Sequence, residues 1–338
     1  LPFALIALVV GGGAAAFAYT GGWLSPDRLT PTKLVDSLAP PTGAAAGRRR
    51  NHAKGICFTG TFAANGNGSE LSTAQMLAKG EYPVVGRFNL ATPNPMEEDG
   101  AARVRGLGLK IATPDGREWR SAMITAPFFP VATVDAFYAL QQASGSKDGA
   151  AMPAFAATHP ELAAFGTWAK SAPWNGSYAE DRFNGLNSFV FTNASGQDAT
   201  VRWSFVPVAQ PVAVSPDELK KRGPDTLERE ITERIGKGPA TWTMVVQVAN
   251  TGDPTADPSK VWPEDRRKVE VGALTVRTIV PEPDGPCRDV NFDPTVLPSG
   301  MRTSDDPFPA ARSAAYRISF DRRSSESAAY PATGGAKP

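Results

Sequence analysis

Apolar and polar positions divide the chain into an uncharged leader, a loop-rich connector and a long body of short alternating runs broken by helical pieces. Residues 1–19 hold no charged side chain, with Gly11-Gly12-Gly13 in the middle and an alanine run after it. A secretory signal or a single membrane anchor over residues 1–23 accounts for this stretch best, with a buried N-terminal helix as the alternative. The glycine triplet is expected to weaken a long helix there. Residues 24–47, rich in Pro, Gly and Ala, read as a linker with one small amphipathic helix at 33–38. Residues 48–323 read as one folded domain, and the Ser-, Ala- and Gly-rich residues 324–338 as a disordered tail.

Within the body, residues 56–62 form an apolar, β-prone run, and 71–79 read as a helix capped by Ser69 or Thr73. Strand patterns follow at 82–92, 104–113 and 117–125, the last two joined by the turn Pro114-Asp115-Gly116. Residues 131–144 and 160–171 read as helices. A second set of strands covers 187–193 and 199–208, flanking Ala194-Ser195-Gly196-Gln197, then 241–248 and 268–280. Residues 217–235 read as a charged, solvated surface helix. Ser304-Asp305-Asp306-Pro307 opens a helix over 308–320. Seven or eight short antiparallel strands interrupted by helices predict an α+β closed barrel with helical additions.

Composition narrows the chemistry. With 41% hydrophobic residues, 20% charged and a net charge of +1, the chain is ordinary for a globular protein and has no basic excess for nucleic acid. Two histidines and two cysteines in 338 residues exclude a structural zinc site, so a metal would arrive with a prosthetic group. Cys57 and Cys287 either pair, as an exported setting permits, or stay as buried thiols; the pattern does not choose.

Two constellations carry the candidate chemistry. Arg48-Arg49-Arg50-Asn51-His52 runs through Ala53-Lys54-Gly55 into the apolar strand. A solvent-facing basic patch needs no such continuation, and a core strand needs no arginines. The combination suits an imidazole facing a buried reactive centre, with cations beside it holding an anionic ligand. Arg48 and Arg50 are left to the surface, Lys54 and Lys110 to structure, and His159, just before Pro160, to a helix start. Late in the chain, Arg312 and Tyr316 stand four residues apart and share one helix face. A guanidinium there favours a phenolate, which suits ferric iron. Taken alone, that pair is more ordinary as two surface residues of an alanine-rich helix.

In sequence order, these motifs resemble the haem catalase superfamily. Arg49 with Asn51-His52-Ala53-Lys54-Gly55, Phe58, Gly60 and Phe62 is similar to its distal signature. Gly86-Arg87-Phe88, Arg105 to Ile111, Pro127-Phe128-Phe129, Asn184 to Phe189 with Val201-Arg202-Trp203, and Arg312 to Tyr316 continue the likeness over residues 45–320. In size and wording it most resembles the compact catalase-related peroxidases. The resemblance implies a catalase-like closed antiparallel eight-stranded barrel with helical additions and a haem b cofactor. It implies His52 as the catalytic acid–base group, Tyr316 as axial iron ligand and Arg312 as the cation keeping it ionised. Arg49 and Arg87 would pair with the haem propionates, and Phe137 would lie against the porphyrin. The implied reaction is peroxide reduction through an oxyferryl intermediate, with an unknown organic reductant restoring the resting state.

One departure bears on activity. Where catalases carry an Asn-Asn-Thr-Pro stretch with a distal amide, this chain reads Ile124-Thr125-Ala126-Pro127. Losing that amide should harm dismutation more than peroxide reduction; Asn51 or Thr125 are candidate replacements in the distal pocket. The expectation is a haem peroxidase acting on hydrogen peroxide or small organic peroxides, with weak or no dismutation. Alternatives are a fatty-acid hydroperoxide isomerase or dehydratase on the same scaffold, or a non-catalytic haem-binding protein. The leader predicts an exported or membrane-anchored protein facing the bacterial periplasm, its N-terminal segment touching the membrane; a homo-oligomer stays open.

Overall fold

The computed structural model describes residues 2–21, 25, 28–40 and 42–332. In chain order the strands are β1 Gly55–Ala64, β2 Gly80–Leu90, β3 Arg105–Ala112, β4 Glu118–Ile124, β5 Trp174–Asn175, β6 Phe183–Asn184, β7 Phe189–Thr192, β8 Asp198–Pro207, β9 Ala213–Val214, β10 Ala240–Val248, β11 Lys268–Pro281 and β12 Met301–Thr303. The helices are α1 Pro2–Thr20, α2 Pro31–Asp36, α3 Val134–Gly145, α4 Ala151–Thr158, α5 Glu161–Ser171, α6 Pro216–Lys221, α7 Thr226–Lys237 and α8 Phe308–Ser325. Antiparallel pairing runs β1-β2-β3-β4-β6-β8-β10-β11 and returns from β11 to β1, closing an eight-stranded barrel. The strands β7 and β12 extend it as a flap on β8.

Side-chain alternation fills the barrel with rings. Phe58, Phe62, Phe88, Phe183, Trp119 and Trp242 are all but fully buried, each worth roughly 2–3 kcal/mol of burial. Phe88 sits at the centre, 4.6 Å from Phe58, 5.1 Å from Tyr178 and 5.6 Å from Trp242. Two of the buried indoles find acceptors: Trp203 Nε1 donates to Ser121 Oγ at 3.1 Å, and Trp242 Nε1 to the Asp181 carbonyl at 3.0 Å, while Trp119 Nε1 is buried without one. Where β1 shifts register against β11 at Thr59/Gly60, any side chain at Gly60 would strike the Thr275 carbonyl. A barrel packed this way leaves its interior closed to a large ligand. The site therefore lies outside the wall.

Several expectations change. Residues 71–79 are not a helix; single 3-10 turns stand at Asn67–Glu70 and Gln75–Leu77, because Ser72 ties the segment to the Gly300 carbonyl at 2.7 Å. The stretch 217–235 splits at Gly223-Pro224, and α7 is more than a solvated face: Leu227, Ile231 and Ile235 join the barrel core. Lys54 fastens that helix, its ammonium donating to Asp99 Oδ1 at 2.8 Å and the Pro224 carbonyl at 2.7 Å. Helix α4 was not legible in the pattern. The glycine triplet does not break α1, which is long and apolar enough to cross a membrane, with none of that span buried. The tail expected to be disordered from 324 is ordered to 332: α8 runs to Ser325, Glu326 pairs with Arg50 at 2.5 Å, and Arg48 lies over the Tyr330 ring at 3.5 Å. Residues 333–338 lie outside the described residues.

Candidate functional site

Phe88 points into the barrel, so its neighbours Arg87 and Asn89 emerge on the outer face. Strand register continues this face as two rows, Arg87–Gly108–Ala122 and Asn89–Gly106–Ile124. Glycine and alanine at the inner positions keep this floor low, with the Phe292 ring packed on Gly108 and the Asn89 amide on Gly106. Above it, α8 presents Arg312, Tyr316, Ser319 and Arg323, whose spacings of four, three and four residues keep them on one face. The cleft between floor and helix has a cavity volume of about 220 Å³ and opens to solvent. Phe129 and Phe137, 5.2 Å apart, wall one side; Leu34 and Val35 of α2 wall another.

His52 projects into this cleft from the turn before β1. Its φ of +56° is left-handed, a costly conformation for a non-glycine residue. Two contacts hold it: the His52 N–H donates to Asn51 Oδ1 at 2.8 Å, and Arg87 donates to the His52 carbonyl at 2.8 Å. The imidazole Nδ1 lies 2.6 Å from Asn89 Oδ1, while Asn89 Nδ2 donates to the Arg87 carbonyl at 3.3 Å. With that oxygen as acceptor, the ring hydrogen sits on Nδ1 and Nε2 keeps its lone pair. The residue keeps some surface open to the cleft, but desolvation of the ring lowers its pKa to about 4. The Asn89 bond works against this shift, and the charges of Arg87, Arg312 and Arg49 add to it. The imidazole is neutral at ordinary pH.

The cations around it are unevenly matched. Arg87 makes a bidentate pair with Glu282, 2.7 Å from each nitrogen to its oxygen. Burial opposes charge on Glu282, but Arg87 and Arg49 outweigh it and hold the carboxyl below its ordinary value. Arg49 donates to the Cys287 and Val290 carbonyls at 2.9 and 3.2 Å, and burial, then Arg87, lowers its pKa to about 9. Its Nε is buried without a hydrogen-bond partner, 3.4 Å from Glu282. Arg312 donates to Asn187 Oδ1 at 2.5 Å and the Ala122 carbonyl at 2.9 Å, and Asn187 in turn donates to Asp306 at 2.9 Å. So fixed, the guanidinium carbon stands 5.8 Å from the centre of the Tyr316 ring. Arg49, Arg50, Arg87, Arg312 and Arg323 all line the cleft, and among the described residues no Asp or Glu does.

A family model described as catalase matches residues 23–328. The chain belongs to the catalase family. It is 34% identical over 331 residues to a catalase-related peroxidase of Synechococcus elongatus, covering 96% of each chain. It is 32% identical to a catalase-related peroxidase of Mycolicibacterium paratuberculosis, covering 87% of this chain and 95% of that one. Among solved structures, a fungal catalase superposes with a TM-score of 0.72 at 18% identity, over 82% of this chain and 59% of that one. A bacterial catalase gives 0.71 at 21%. These likenesses show the fold, and the catalase-family chain spans under two thirds of the length of either solved catalase.

Of the residues singled out in the sequence, His52, Asn51, Arg49, Arg87, Phe137, Arg312 and Tyr316 come together in the cleft. Thr125 does not: its hydroxyl accepts from the Arg105 N–H at 3.1 Å, and Ile124 lines the cleft instead. Arg50 is not a surface residue but is 6% exposed, and it too lines the cleft. Sequence reasoning missed Asn89, Asn187, Glu282 and Arg323. The spacing of seven from Tyr316 would have found Arg323, and the strand period would have found Asn89. Glu282 had no local signal beyond the need of two buried arginines for a counter-charge.

Proposed function

We propose that the chain is a haem-dependent peroxidase, an oxidoreductase reducing hydrogen peroxide or small organic peroxides, with little or no dismutation. The observation that carries this reading is one cleft holding His52 and Tyr316 together, lined, among the described residues, by five arginines and no carboxylate. The residues fit a flat, dianionic macrocycle such as haem b. The buried Arg49 Nε, which has no hydrogen-bond partner and shares the single carboxylate of Glu282 with Arg87, and the excess of guanidinium charge suit propionates, with Arg87 and Arg323 beside them. The small floor residues Gly108 and Ala122 and the Phe137 ring suit its faces, and the Tyr316 oxygen suits its iron. Bound there, haem would supply the metal and the two-electron chemistry.

The chain's own residues do the rest. Neutral His52 takes a proton from the near peroxide oxygen at Nε2 and gives it to the far oxygen, so that water or an alcohol leaves. Asn89 keeps that nitrogen free by holding the ring hydrogen on Nδ1. Arg312 supplies a fixed positive charge beside Tyr316. An external organic donor must return two electrons. The weak dismutation rests on the segment 124–127, which offers the apolar Ile124 to the cleft; the Asn51 side-chain oxygen is already engaged by the His52 N–H. The exposed apolar α1 and the disulfide between Cys57 and Cys287 support an exported or membrane-anchored protein on the periplasmic side.

The test is peroxide and a chromogenic donor added to the haemin-loaded chain, with dioxygen followed in parallel. Donor oxidation with little dioxygen is expected. Rearranged fatty-acid hydroperoxide without donor oxidation would assign the isomerase instead, and no turnover at all would leave only a haem-binding protein.

A further inference from the structure

We propose that the Cys57–Cys287 disulfide positions the cofactor-binding arginines, so that the chain retains haem less tightly without it. This rests on the haem reading above and goes beyond it. Residues 285–300 contain no strand or helix, so no backbone ladder fixes them. Yet their carbonyls anchor two of the cleft's cations. Arg49 donates to the carbonyls of Cys287, Arg288 and Val290 at 2.9, 3.3 and 3.2 Å. Arg323 donates to those of Arg288 and Val290 at 2.5 and 3.2 Å. Arg49 comes from the turn before β1 and Arg323 from α8, so this irregular segment is where the two halves of the cleft are tied.

The covalent hold on that segment is the bond from Cys287 to Cys57, which sits in β1 opposite Arg87. The Cys287 N–H donates to Cys57 Sγ at 3.2 Å, and any side chain at Gly285 would collide with that sulfur. Both cysteines are fully buried and form a cluster with Phe292, against which Val290 and Tyr316 pack. Three residues assigned to the haem, Arg49, Arg323 and Tyr316, thus rest on one segment held by one disulfide. A guanidinium whose acceptors are fixed before binding gives up less freedom when it takes a propionate. Released from Cys57, the carbonyls move, and that preorganisation is lost.

The experiment follows haemin release from the loaded full chain to excess apomyoglobin, comparing wild type with Cys57→Ala/Cys287→Ala at a temperature where circular dichroism shows both folded. Release about tenfold faster is expected. Arg49→Gln should also accelerate release less in the cysteine-free background than in wild type, because the two act through one element. Unchanged release, or an Arg49→Gln effect of equal size in both backgrounds, overturns the proposal. Should the cysteine-free variant not fold, hydrogen exchange on the wild type decides: haemin loading should slow exchange across residues 285–292, and unaltered exchange there overturns it. A wild type that takes up no haemin removes the haem reading itself and is read before either comparison.

Discussion

His52 Nδ1 and the Asn89 side-chain oxygen stand 2.6 Å apart, and this contact decides which imidazole nitrogen faces the cleft. Replacing the amide by a carboxylate keeps the geometry but adds a charge that favours imidazolium. In Asn89→Asp the acid limb of the peroxide-reduction rate should therefore move to higher pH. In Gly106→Ala the new methyl meets the Asn89 amide, and the rate should fall without loss of bound haem. Initial-rate pH profiles with bound haem measured by absorbance check both.

The wild-type acid limb should lie near pH 4, where the folded His52 titrates, and not near the 6.5 of a free imidazole. The unfolded chain protonates this residue first as pH falls, so stability declines from about pH 6.5 down to about pH 4 and is unaffected by the group above that window. Because the ring borders an open cleft, the loss is at most about 3 kcal/mol. Urea unfolding of the cofactor-free chain at stepped pH checks it, with His52→Gln as the variant that should lack this decline. The same variant should lower peroxide reduction by about 10²–10⁴-fold.

Arg87 is 1% exposed and depends on Glu282 for its counter-charge. Glu282→Ala leaves a buried guanidinium alone and should cost about 3–5 kcal/mol of unfolding free energy. The carboxyl's pKa is depressed in the fold, so its contribution is complete above the ordinary carboxylate range and disappears as pH falls through the folded value. Denaturant midpoints of the two proteins at neutral and acid pH should converge toward the acid side.

Helix α1 is apolar and exposed along its length, so it should govern partitioning and not chemistry. The full chain should enter the detergent phase in a phase-separation assay. A form without residues 2–21 should stay in water and oxidise the donor at the same rate.

Much of this architecture was legible in the chain. The strand runs at 82–92, 104–113 and 117–125 fell within two residues of β2, β3 and β4, because one-sided burial imposes a period of two. Of the cleft residues, the His52 stretch was legible from its own mixture of arginines and apolar run, whereas Arg87, Phe137, Arg312 and Tyr316 were placed in the site only through the resemblance of their motifs to the haem catalases. What stayed hidden depends on tertiary contacts. Helix α7 turns Leu227, Ile231 and Ile235 inward while its other faces are charged, so it reads as surface until the barrel core it packs on is known. Thr125 was drawn to the site by the resemblance, as part of the stretch that stands where catalases carry their distal amide, but its hydroxyl is turned to the Arg105 backbone. Glu282 follows an exposed Pro281, and only the fold reveals that two buried arginines meet it.

The role proposed for Tyr316 is to hold a haem iron in the cleft it shares with His52. The direct test is the absorbance spectrum of the chain titrated with haemin, beside Tyr316→Phe prepared alike. A saturating, stoichiometric spectrum of a tyrosinate-bound ferric centre is expected in the wild type, and its absence in the variant. Identical spectra from the two proteins would contradict it.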